Sequence, residues 1–275
     1  MAQATVAFQG EIGAYSEEAA ARLFGPKLRV KPCRDLADVF KAVEAGKAEY
    51  GIAPIENSLE GSINQTYDLL LYSQLKVCHE VIVKITHCLI ANCGVRLDSI
   101  KAVYSHPQAL AQCRDFLDRL NGENIPTYDT AGSVKMIKGK NLTDSAAIAS
   151  ERAAQIYHME ILARGIENNP QNFTRFLVLS KQDSPPTGSD KTSLIFSTKH
   201  VPGTLLKALE GLAAQGINLT KIESRPIVGK PWEYNFYLDF EGHRTEGRVQ
   251  QALENLTQNS IFVNLLGSYP KARGG

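Results

Sequence analysis

Short apolar runs alternate with amphipathic, helix-like segments along the first part of the chain. Three times before residue 73, an apolar run leads through a turn into a segment with helical spacing. The predicted strand–helix pairs are Val6–Gln9 with Ser16–Leu23, Val30–Cys33 with Leu36–Ala45, and Tyr50–Pro54 with Ile63–Tyr72. This alternation predicts an α/β fold with a mainly parallel sheet.

A long strand-like run, Val77–Ala91, separates this set of elements from a second set. The second set is predicted as Ile100–Tyr104 with Pro107–Leu120, Ile125–Tyr128 with Thr130–Lys138, Ala146–Ala149 with Glu151–Tyr157, and a closing strand Thr174–Leu179. Two sets joined by one stretch predict two lobes with a cleft between them. We place the lobes at approximately residues 1–77 with 167–181 and residues 78–166, so that the closing strand returns to the first lobe.

The polar segment 182–190, which contains two prolines and one glycine, indicates a linker between two domains. The elements predicted after it are a strand Thr192–Ser197, a helix Thr204–Ala214, strands Leu219–Ile222 and Tyr234–Phe240, a helix Arg248–Leu256 and a strand Ile261–Leu266. The order βαββαβ is that of the ferredoxin-like motif. We therefore predict a first domain at 1–181 and a second at 191–270, the latter of a size typical of a ligand-sensing module.

Composition places the chain among ordinary globular proteins. Of its 275 residues 43% are hydrophobic and 21% charged, and the formal net charge is +1. Such a balance gives no general attraction to nucleic acid or to an anionic membrane, so an anionic ligand must be bound by local geometry. The chain begins on a strand-like run without a leader, and no apolar stretch approaches the about 18 residues of a membrane span. We expect a cytoplasmic protein without nucleic-acid or membrane partners.

The cysteines predict reduced thiols rather than disulfides or a metal site. They are Cys33, Cys78, Cys88, Cys93 and Cys113, an odd number without a CxxC pair. His87, Cys88 and Cys93 resemble metal ligands in type, but the first two lie in a β-branched run that predicts a buried strand. A structural zinc site uses closely paired ligands from two places, and the sequence shows none. We expect no metal and no other cofactor.

Four strand-to-helix junctions of the first domain carry small, hydroxyl or amide side chains. They are Gly10–Ser16, Pro54–Ser62, Ser105–Gln108 and Asp129–Ser133. Ligands of open α/β sheets bind beyond the carboxyl ends of the strands, where free N–H groups and helix dipoles favour anions. At any one junction these side chains are equally well explained as helix caps, for instance Ser16 as the cap of its helix. Four junctions in one domain favour a cleft for a small polyanion.

The segment 172–176 is of a different kind, because it sets a threonine and an arginine between aromatic residues. Arg175 offers a bidentate fork for a carboxylate and Thr174 offers a hydroxyl donor. An edge strand with an exposed arginine explains the segment as well. The sequence shows no nucleophilic triad, dinucleotide fingerprint or Walker motif.

In the second domain, the turns at 202–204 and 216–226 present backbone groups that suit the ammonium and carboxylate of an amino acid. From the residues alone, ordinary turn chemistry is the favoured explanation.

Together these segments resemble the prephenate dehydratase family along nearly the whole chain. The matching segments are Gly13–Glu17, Pro54–Ser62, Ser105–Leu110 and Asn172–Phe176, and in the second domain Glu223–Pro226 and Lys230–Tyr234, which resemble an ACT regulatory domain. The resemblance implies a two-lobed catalytic domain similar to type II periplasmic binding proteins. It also implies assembly as a homodimer or homotetramer through the regulatory domains, with L-phenylalanine bound between them as an inhibitor.

The activity implied is the conversion of prephenate to phenylpyruvate, water and carbon dioxide. Residues 14–16 and 129–132 resemble plant arogenate dehydratases, which leaves arogenate open as the substrate. Gly203-Thr204-Leu205 also departs from the family's usual Gly-Ala-Leu. A non-catalytic small-molecule-binding protein of the same fold is the alternative from another class. A bifunctional enzyme with chorismate mutase is not expected, because no long helical domain precedes Ala4.

The resemblance assigns roles to particular residues. Thr174 is expected to donate a hydrogen bond or proton to the leaving hydroxyl, supported by Glu56 if burial keeps that carboxyl protonated. The substrate-binding residues expected are Ser16, Asn57, Ser58, Gly61, Ser105, Gln108, Thr130, Arg175 and Phe176. The residues expected to bind phenylalanine are Gly203, Thr204, Leu205, Asn218, Leu219 and Ser224, with Arg225 anchoring its strand.

Overall fold

Three sheets with flanking helices make up the protein in a computed structural model, which describes residues 4–25 and 27–272. The chain packs as two compact units. One contains the chain up to Ile63 together with Val81–Phe176, and the other contains Asn64–Glu80 and the chain from Leu177 onward. The segment 64–80 therefore packs with the second domain, although the sequence pattern groups it with the first. Among the described residues no helix is long and apolar enough to cross a membrane.

The first sheet has the strand order β2-β1-β3-β11-β5, and a short strand β4 pairs with β3. Its strands are β1 (Thr5–Gln9), β2 (Arg29–Cys33), β3 (Tyr50–Asn57), β4 (Gly61–Ser62), β5 (Lys76–Lys84) and β11 (Phe173–Ser180). The helices that follow its strands are α1 (Tyr15–Phe24), α2 (Leu36–Glu44) and α3 (Asn64–Tyr72). β1 pairs in parallel with both β2 and β3, as the alternation of apolar runs and helices predicts.

The second sheet has the order β10-β6-β9-β7-β8. Its strands are β6 (Cys88–Ala91), β7 (Ala102–Ser105), β8 (Glu123–Pro126), β9 (Ser145–Ala149) and β10 (Glu160–Arg164). The helices between them are α4 (Pro107–Gln112), α5 (Arg114–Leu120), α6 (Thr130–Gly139) and α7 (Glu151–Tyr157). β9 is buried along its whole length, and its small side chains let the helices approach the sheet closely. The helix predicted over 107–120 is interrupted at Cys113, and β10 is a strand that the sequence pattern did not predict.

The long run 77–91 is two strands in two different sheets rather than one strand. β5 ends at Lys84 in the first sheet, and β6 begins at Cys88 in the second. The chain thus crosses between the sheets at 85–87, and not near residue 78 as the predicted lobe boundary has it. Continuous apolar residues hide this break, because both strands are buried.

The third sheet has the order β13-β14-β12-β15 and its neighbouring strands are all antiparallel. Its elements are β12 (Asp190–Ser197), α8 (Thr204–Ala214), β13 (Leu219–Ile227), β14 (Lys230–Glu241), α9 (Gly247–Gln258) and β15 (Phe262–Pro270). The predicted order βαββαβ is confirmed. Leu194, Phe196, Leu238 and Phe240 point to one face of the sheet and form a core with α8 and α9.

The opposite face of this sheet contacts α3. The ring of Tyr67 lies 4.7 Å from that of Tyr237, whose hydroxyl donates to the Tyr67 carbonyl at 2.7 Å. Arg225 on β13 donates from Nη2 to both carboxylate oxygens of Asp68 at 3.0 Å. Arg225 thus anchors its strand to α3, in agreement with the structural role expected for it.

A buried ion pair joins β5 to β12 within the same unit. Lys191 Nζ lies 2.9 Å from Glu80 Oε1 and 3.1 Å from Oε2, and the Glu80 side chain is only 1% exposed. Glu80 Oε1 also accepts a hydrogen bond from the Ala272 amide at 2.9 Å. A buried charge has lost its hydration, and only the attraction of a nearby opposite charge offsets that cost. Removing either partner of this pair therefore destabilises the fold.

We predict that Lys191→Met lowers the free energy of unfolding by about 3–5 kcal/mol, because Glu80 loses a buried cation at 2.9 Å. Urea denaturation measures this change. Lys41, whose pair with Asp38 is exposed, provides the control, and Lys41→Met should change stability by less than about 1 kcal/mol. Equal effects of the two substitutions would contradict the prediction.

Candidate functional site

A cavity of about 190 Å³ lies within the first unit, where residues of both of its sheets and of the crossing segment meet. The residues that line it are Tyr15, Ser16, Pro54, Asn57, Ile63, Ile85, His87, His106, Gln108, Ala109, Gln112, Thr130, Thr174 and Phe176. This lining combines apolar side chains with neutral polar ones and, among the residues that the structure describes, contains no lysine, arginine or carboxylate. Such a mixture suits a small ligand that is oriented by a few hydrogen bonds.

Six of the residues that the sequence assigns to the site line this cavity. They are Ser16, Asn57, Gln108, Thr130, Thr174 and Phe176. The junctions that carry them are built as expected at the second sheet, where Pro107 occupies the start of α4 and Asp129 caps α6 through the Gly132 amide. Ser16 does not cap its helix, because α1 begins one residue earlier, at Tyr15.

Five predicted site residues are not among those that line the cavity: Glu56, Ser58, Gly61, Ser105 and Arg175. Ser105 is fully buried and donates to the Ile148 carbonyl at 2.6 Å, so that it joins β7 to β9. Ser58 donates to the Gln171 carbonyl and accepts from the Phe173 amide, both at 2.9 Å, and so holds the start of β11. These two hydroxyls position backbone.

Strand alternation explains the exclusion of Arg175. Successive side chains of a strand point to opposite faces, and β11 turns Thr174 and Phe176 toward the cavity. Arg175 between them is buried on the other face. The carboxylate fork expected at Arg175 therefore does not form part of this lining.

Sequence reasoning missed Tyr15, His87 and Gln112. His87 was assigned to the interior of a strand, whereas it ends the segment that crosses between the two sheets and is 2% exposed. Gln112 lies one helical turn beyond Gln108 on α4, so that the spacing i, i+4 was the available signal for it. Tyr15 entered only as part of the segment 14–16 that resembles plant arogenate dehydratases.

A continuous chain of hydrogen bonds connects these residues to Thr174. Asn57 Nδ2 donates to Thr174 Oγ1 at 3.0 Å and to Asn172 Oδ1 at 2.7 Å. Asn172 Nδ2 donates to Gln112 Oε1 at 2.8 Å, and the same oxygen lies 3.0 Å from His87 Nε2. Thr174 Oγ1 thus accepts a hydrogen bond from Asn57. No described residue accepts the hydroxyl hydrogen of Thr174, so this hydrogen remains available to a ligand in the cavity.

A second cavity of about 180 Å³ adjoins the first and shares Tyr15, Ser16, His106 and Thr130 with it. It is lined in addition by Gln9, Gly10, Ala14, Arg34, Tyr128 and Asp129. Arg34 follows β2 directly, at the carboxyl edge of the first sheet, and is the single cation among the described residues that line the two cavities. The two cavities together form a cleft, and the second cavity carries both the guanidinium of Arg34 and the carboxylate of Asp129.

The buried position of the first cavity affects its titratable groups. Burial lowers the pKa of His87 below its usual value, against smaller opposing effects of Gln112 and Glu167. Burial also raises the pKa of Tyr15 well above its usual value. Both groups are therefore neutral near pH 7, and the Tyr15 hydroxyl keeps its hydrogen.

The second unit has a cavity of its own, of about 440 Å³, at the start of α8. Its lining residues are Thr198–Leu206 together with Glu233, Tyr234 and Phe236. Gly203, Thr204 and Leu205 are among them, as expected, whereas Asn218, Leu219 and Ser224 are not. Ser224 lies opposite Phe236 on the neighbouring strand, next to the cavity wall.

All five cysteines are free thiols, and the described residues include no group of three or more His, Cys, Asp or Glu side chains placed to hold a metal ion.

Known proteins resemble both parts of the chain. The family model for prephenate dehydratase matches residues 6–184, and the ACT domain model matches residues 192–258. The bifunctional chorismate mutase/prephenate dehydratase of Aquifex aeolicus is 44% identical over 272 residues, which cover 97% of this chain and 74% of that protein. The arogenate dehydratase/prephenate dehydratase 2 of Arabidopsis thaliana is 44% identical over 276 residues, 96% of this chain and 72% of that protein.

Solved structures agree along the chain. Prephenate dehydratase from Arthrobacter aurescens in complex with L-Phe superimposes with a TM-score of 0.89 at 34% identity, covering 97% of this chain and 90% of that one. GqqA, described as a novel type of quorum quenching acylase, superimposes with a TM-score of 0.88 at 35% identity, covering 97% of each chain.

We predict that Gly13→Ala destabilises the first unit by about 1–3 kcal/mol, because residue 13 has a left-handed backbone and an added Cβ would lie 2.8 Å from Ala153 Cα. Gly46, also left-handed (φ +69°) but with open space around it, provides the control. Thermal unfolding of the two alanine variants separates backbone strain from the close approach of α7. A Gly13→Ala variant no less stable than Gly46→Ala would contradict the prediction.

Proposed function

Because this chain belongs to the prephenate dehydratase family, we propose that it converts prephenate to phenylpyruvate in the cavity at Thr174. The observation that carries the proposal is the arrangement of the Thr174 hydroxyl. Its oxygen accepts a hydrogen bond from Asn57, and its hydrogen is left for a ligand. A donor held in this way suits a reaction in which a hydroxyl group must leave.

The reaction breaks two bonds of the substrate ring. The electron pair of the bond to the ring carboxylate moves into the ring, carbon dioxide leaves, and the carbon–oxygen bond at the opposite ring carbon breaks. The departing hydroxide takes up one proton and leaves as water, so that one proton is consumed in each turnover. The ring becomes aromatic, which makes the reaction downhill without a redox cofactor.

Thr174 donates to the departing oxygen. As negative charge passes to Thr174 Oγ1, the amide of Asn57 stabilises it with a hydrogen bond that already exists before the reaction. Asn57 thus supplies the support for which Glu56 was the sequence-based candidate. Glu56 is half-buried and does not line the cavity.

The two carboxylates of prephenate require different surroundings. We place the side-chain carboxylate in the second cavity, where Arg34 provides the cation and α1 and α6 begin. The ring carboxylate then lies in the first cavity among Ile63, Ile85 and Phe176. Apolar surroundings stabilise a carboxylate less than water does and favour its loss as neutral carbon dioxide.

Arogenate carries an amino group where prephenate carries the side-chain ketone, and it is the second candidate substrate. The observation that favours it is Asp129, which lines the second cavity together with Arg34. A carboxylate and a guanidinium in one cavity suit the ammonium and carboxylate of an amino acid.

An acylase, as GqqA is described, would use a nucleophile with a base beside it. In this cavity Thr174 Oγ1 accepts from an amide, and the ring nitrogens of His87 face Gln112 and Tyr15. The geometry favours the dehydratase over hydrolysis of an acyl bond. A non-catalytic binding protein of the same fold would need no positioned donor.

The second domain binds L-phenylalanine and inhibits the enzyme in this proposal. Gly203, Thr204 and Leu205 open α8 at the cavity of the second unit, where a helix N-terminus suits a carboxylate and Leu206 and Phe236 offer apolar contact. A second copy of the chain would contribute Asn218, Leu219 and Ser224 to this site, which requires a homodimer or homotetramer. That assembly and a cytoplasmic location remain predictions.

We predict that Thr174→Val lowers kcat by about 10²–10³-fold, because the donor to the leaving oxygen is lost. Thr174→Ser keeps the hydroxyl and should retain most activity. Steady-state assays on prephenate and on arogenate measure the effect, and unchanged thermal unfolding shows that the variants fold. Near-normal turnover of folded Thr174→Val would overturn the assignment of Thr174. Absence of turnover of both substrates by the unmodified protein would leave the binding-protein alternative.

We predict that L-phenylalanine inhibits turnover and that Leu206→Ser weakens its binding about tenfold or more, because an apolar contact is lost. Leu206 is 73% exposed, so its replacement leaves the core intact. Leu97→Ser, on an exposed turn of the first unit, is the control and should leave phenylalanine binding unchanged. Titration calorimetry measures both variants. Equal affinities would refute the location of the effector site.

A further inference from the structure

The orientation of one buried amide determines every hydrogen bond in the chain that leads to Thr174. Asn57 Oδ1 accepts from the backbone amides of Leu59 at 3.0 Å and Glu60 at 3.1 Å. Backbone N–H groups are donors only, so the carbonyl oxygen of Asn57 must face them. Its NH₂ group must then face Asn172 and Thr174.

This direction continues through the next two side chains. Asn172 Oδ1 faces a donor and therefore accepts, which leaves Asn172 Nδ2 to donate to Gln112. Gln112 must turn its oxygen toward Asn172, and its Nε2 points to Glu60 Oε1 at 3.4 Å. The oxygen of Gln112 is thus also the atom 3.0 Å from His87 Nε2.

The last hydrogen bond of this series fixes the tautomer of His87. An oxygen acceptor at 3.0 Å requires a hydrogen on His87 Nε2. The other ring nitrogen, Nδ1, lies 3.0 Å from the hydroxyl oxygen of Tyr15, whose hydrogen also has the Thr86 carbonyl as an acceptor at 2.8 Å. Because burial favours the neutral imidazole, Nδ1 carries the lone pair and Nε2 the hydrogen.

We propose that His87, in its Nε2–H form, is a positioning residue for the dehydratase reaction, acting through Gln112 and Asn172 on Asn57 and Thr174. This role rests on the proposed function. Without the His87 donor, the oxygen of Gln112 keeps Asn172 as a donor but loses its second hydrogen bond, so Gln112 is held less firmly against Asn172. Asn172 then holds the amide nitrogen of Asn57 less firmly, which weakens the alignment of that nitrogen with Thr174.

The residues of this hydrogen-bond series come from both sheets of the first unit. Asn57, Asn172 and Thr174 belong to the first sheet or its borders, whereas Gln112 ends α4, which flanks the second sheet, and His87 lies on the segment that crosses between them. The hydrogen bonds therefore span the two lobes of the first unit. Thr174 is fully oriented only in the arrangement of the lobes that brings Gln112 to Asn172.

Paired substitutions at His87 test the role. His87→Gln keeps an N–H group near the position of Nε2, and His87→Leu removes it at similar volume. We expect His87→Leu to lower kcat roughly 10–100-fold with KM within about threefold, and His87→Gln to retain most of kcat. A purely structural role would be satisfied as well by Leu as by Gln. Combining His87→Leu with Thr174→Val should lower kcat no further than Thr174→Val alone.

One further variant serves as a control and another as a second test. His79→Leu removes a half-buried histidine that lies on β5 and does not line the cavity, and it should leave kcat unchanged. Gln112→Leu breaks the same hydrogen-bond chain at a half-buried position and should lower kcat as His87→Leu does, which keeps the test open if His87→Leu fails to fold. Wild-type kcat in folded His87→Leu or Gln112→Leu would overturn the role while the proposed function stands. Absence of turnover by the unmodified protein would overturn both.

A measurement on the unmodified protein does not depend on turnover. Nitrogen-15 NMR of the imidazole rings distinguishes a protonated nitrogen from one with a lone pair, and the His87 signals are those missing in His87→Gln. We expect a hydrogen on Nε2 and a lone pair on Nδ1 at neutral pH. A hydrogen on Nδ1 alone would overturn the proposal, because His87 could not then donate to Gln112.

Discussion

The fixed orientation of the Asn57 amide is the constraint on which the site depends. Asn57 is 7% exposed, and both ends of its side chain are engaged, its oxygen by two backbone amides and its nitrogen by Asn172 and Thr174. A buried amide with its groups reversed would face donors with donors, and each unmet group would cost about 1–3 kcal/mol. The turn 57–60 therefore holds Thr174, the proposed donor, in place before any ligand arrives. Such preorganisation is what stabilises developing charge without reorganisation at the moment of reaction.

A neutral cavity is consistent with this chemistry. The substrate brings two negative charges, and a cation beside the ring carboxylate would stabilise it against loss as carbon dioxide. The structure separates the two requirements, with Arg34 in the second cavity and uncharged amides, hydroxyls and apolar side chains in the first. Arg175, the most prominent cation of the sequence motif, is buried on the other face of β11.

Most of the fold, and about half of the site, follow from the sequence. Strand and helix order and the βαββαβ domain follow from local apolar periodicity, which these elements obey. The break between β5 and β6 does not, because two buried strands in succession give one continuous apolar pattern. Thr174 and Asn57 were assigned through the resemblance to the family, and hydroxyl and amide groups at strand ends left helix caps equally open. Ser58 and Ser105 share those features yet bind backbone, and only tertiary contacts distinguish the two uses. Arg175 was open to correction from the sequence, since strand alternation excludes adjacent residues from one face. His87 was hidden by its apolar neighbours.

The same constraint suggests one covalent path by which regulation can reach the site. The amides that fix Asn57 belong to Leu59 and Glu60, and α3 begins only four residues after Glu60, at Asn64. α3 packs with the second unit, through Tyr67 against Tyr237 and Asp68 against Arg225. Allosteric inhibition requires an element with two arrangements that both sites influence. A shift of α3 would act directly on the turn that orients Asn57, and through Asn57 on Thr174. Because the hydrogen bonds of that turn are directional, a small displacement would suffice to misalign the donor without opening the cavity.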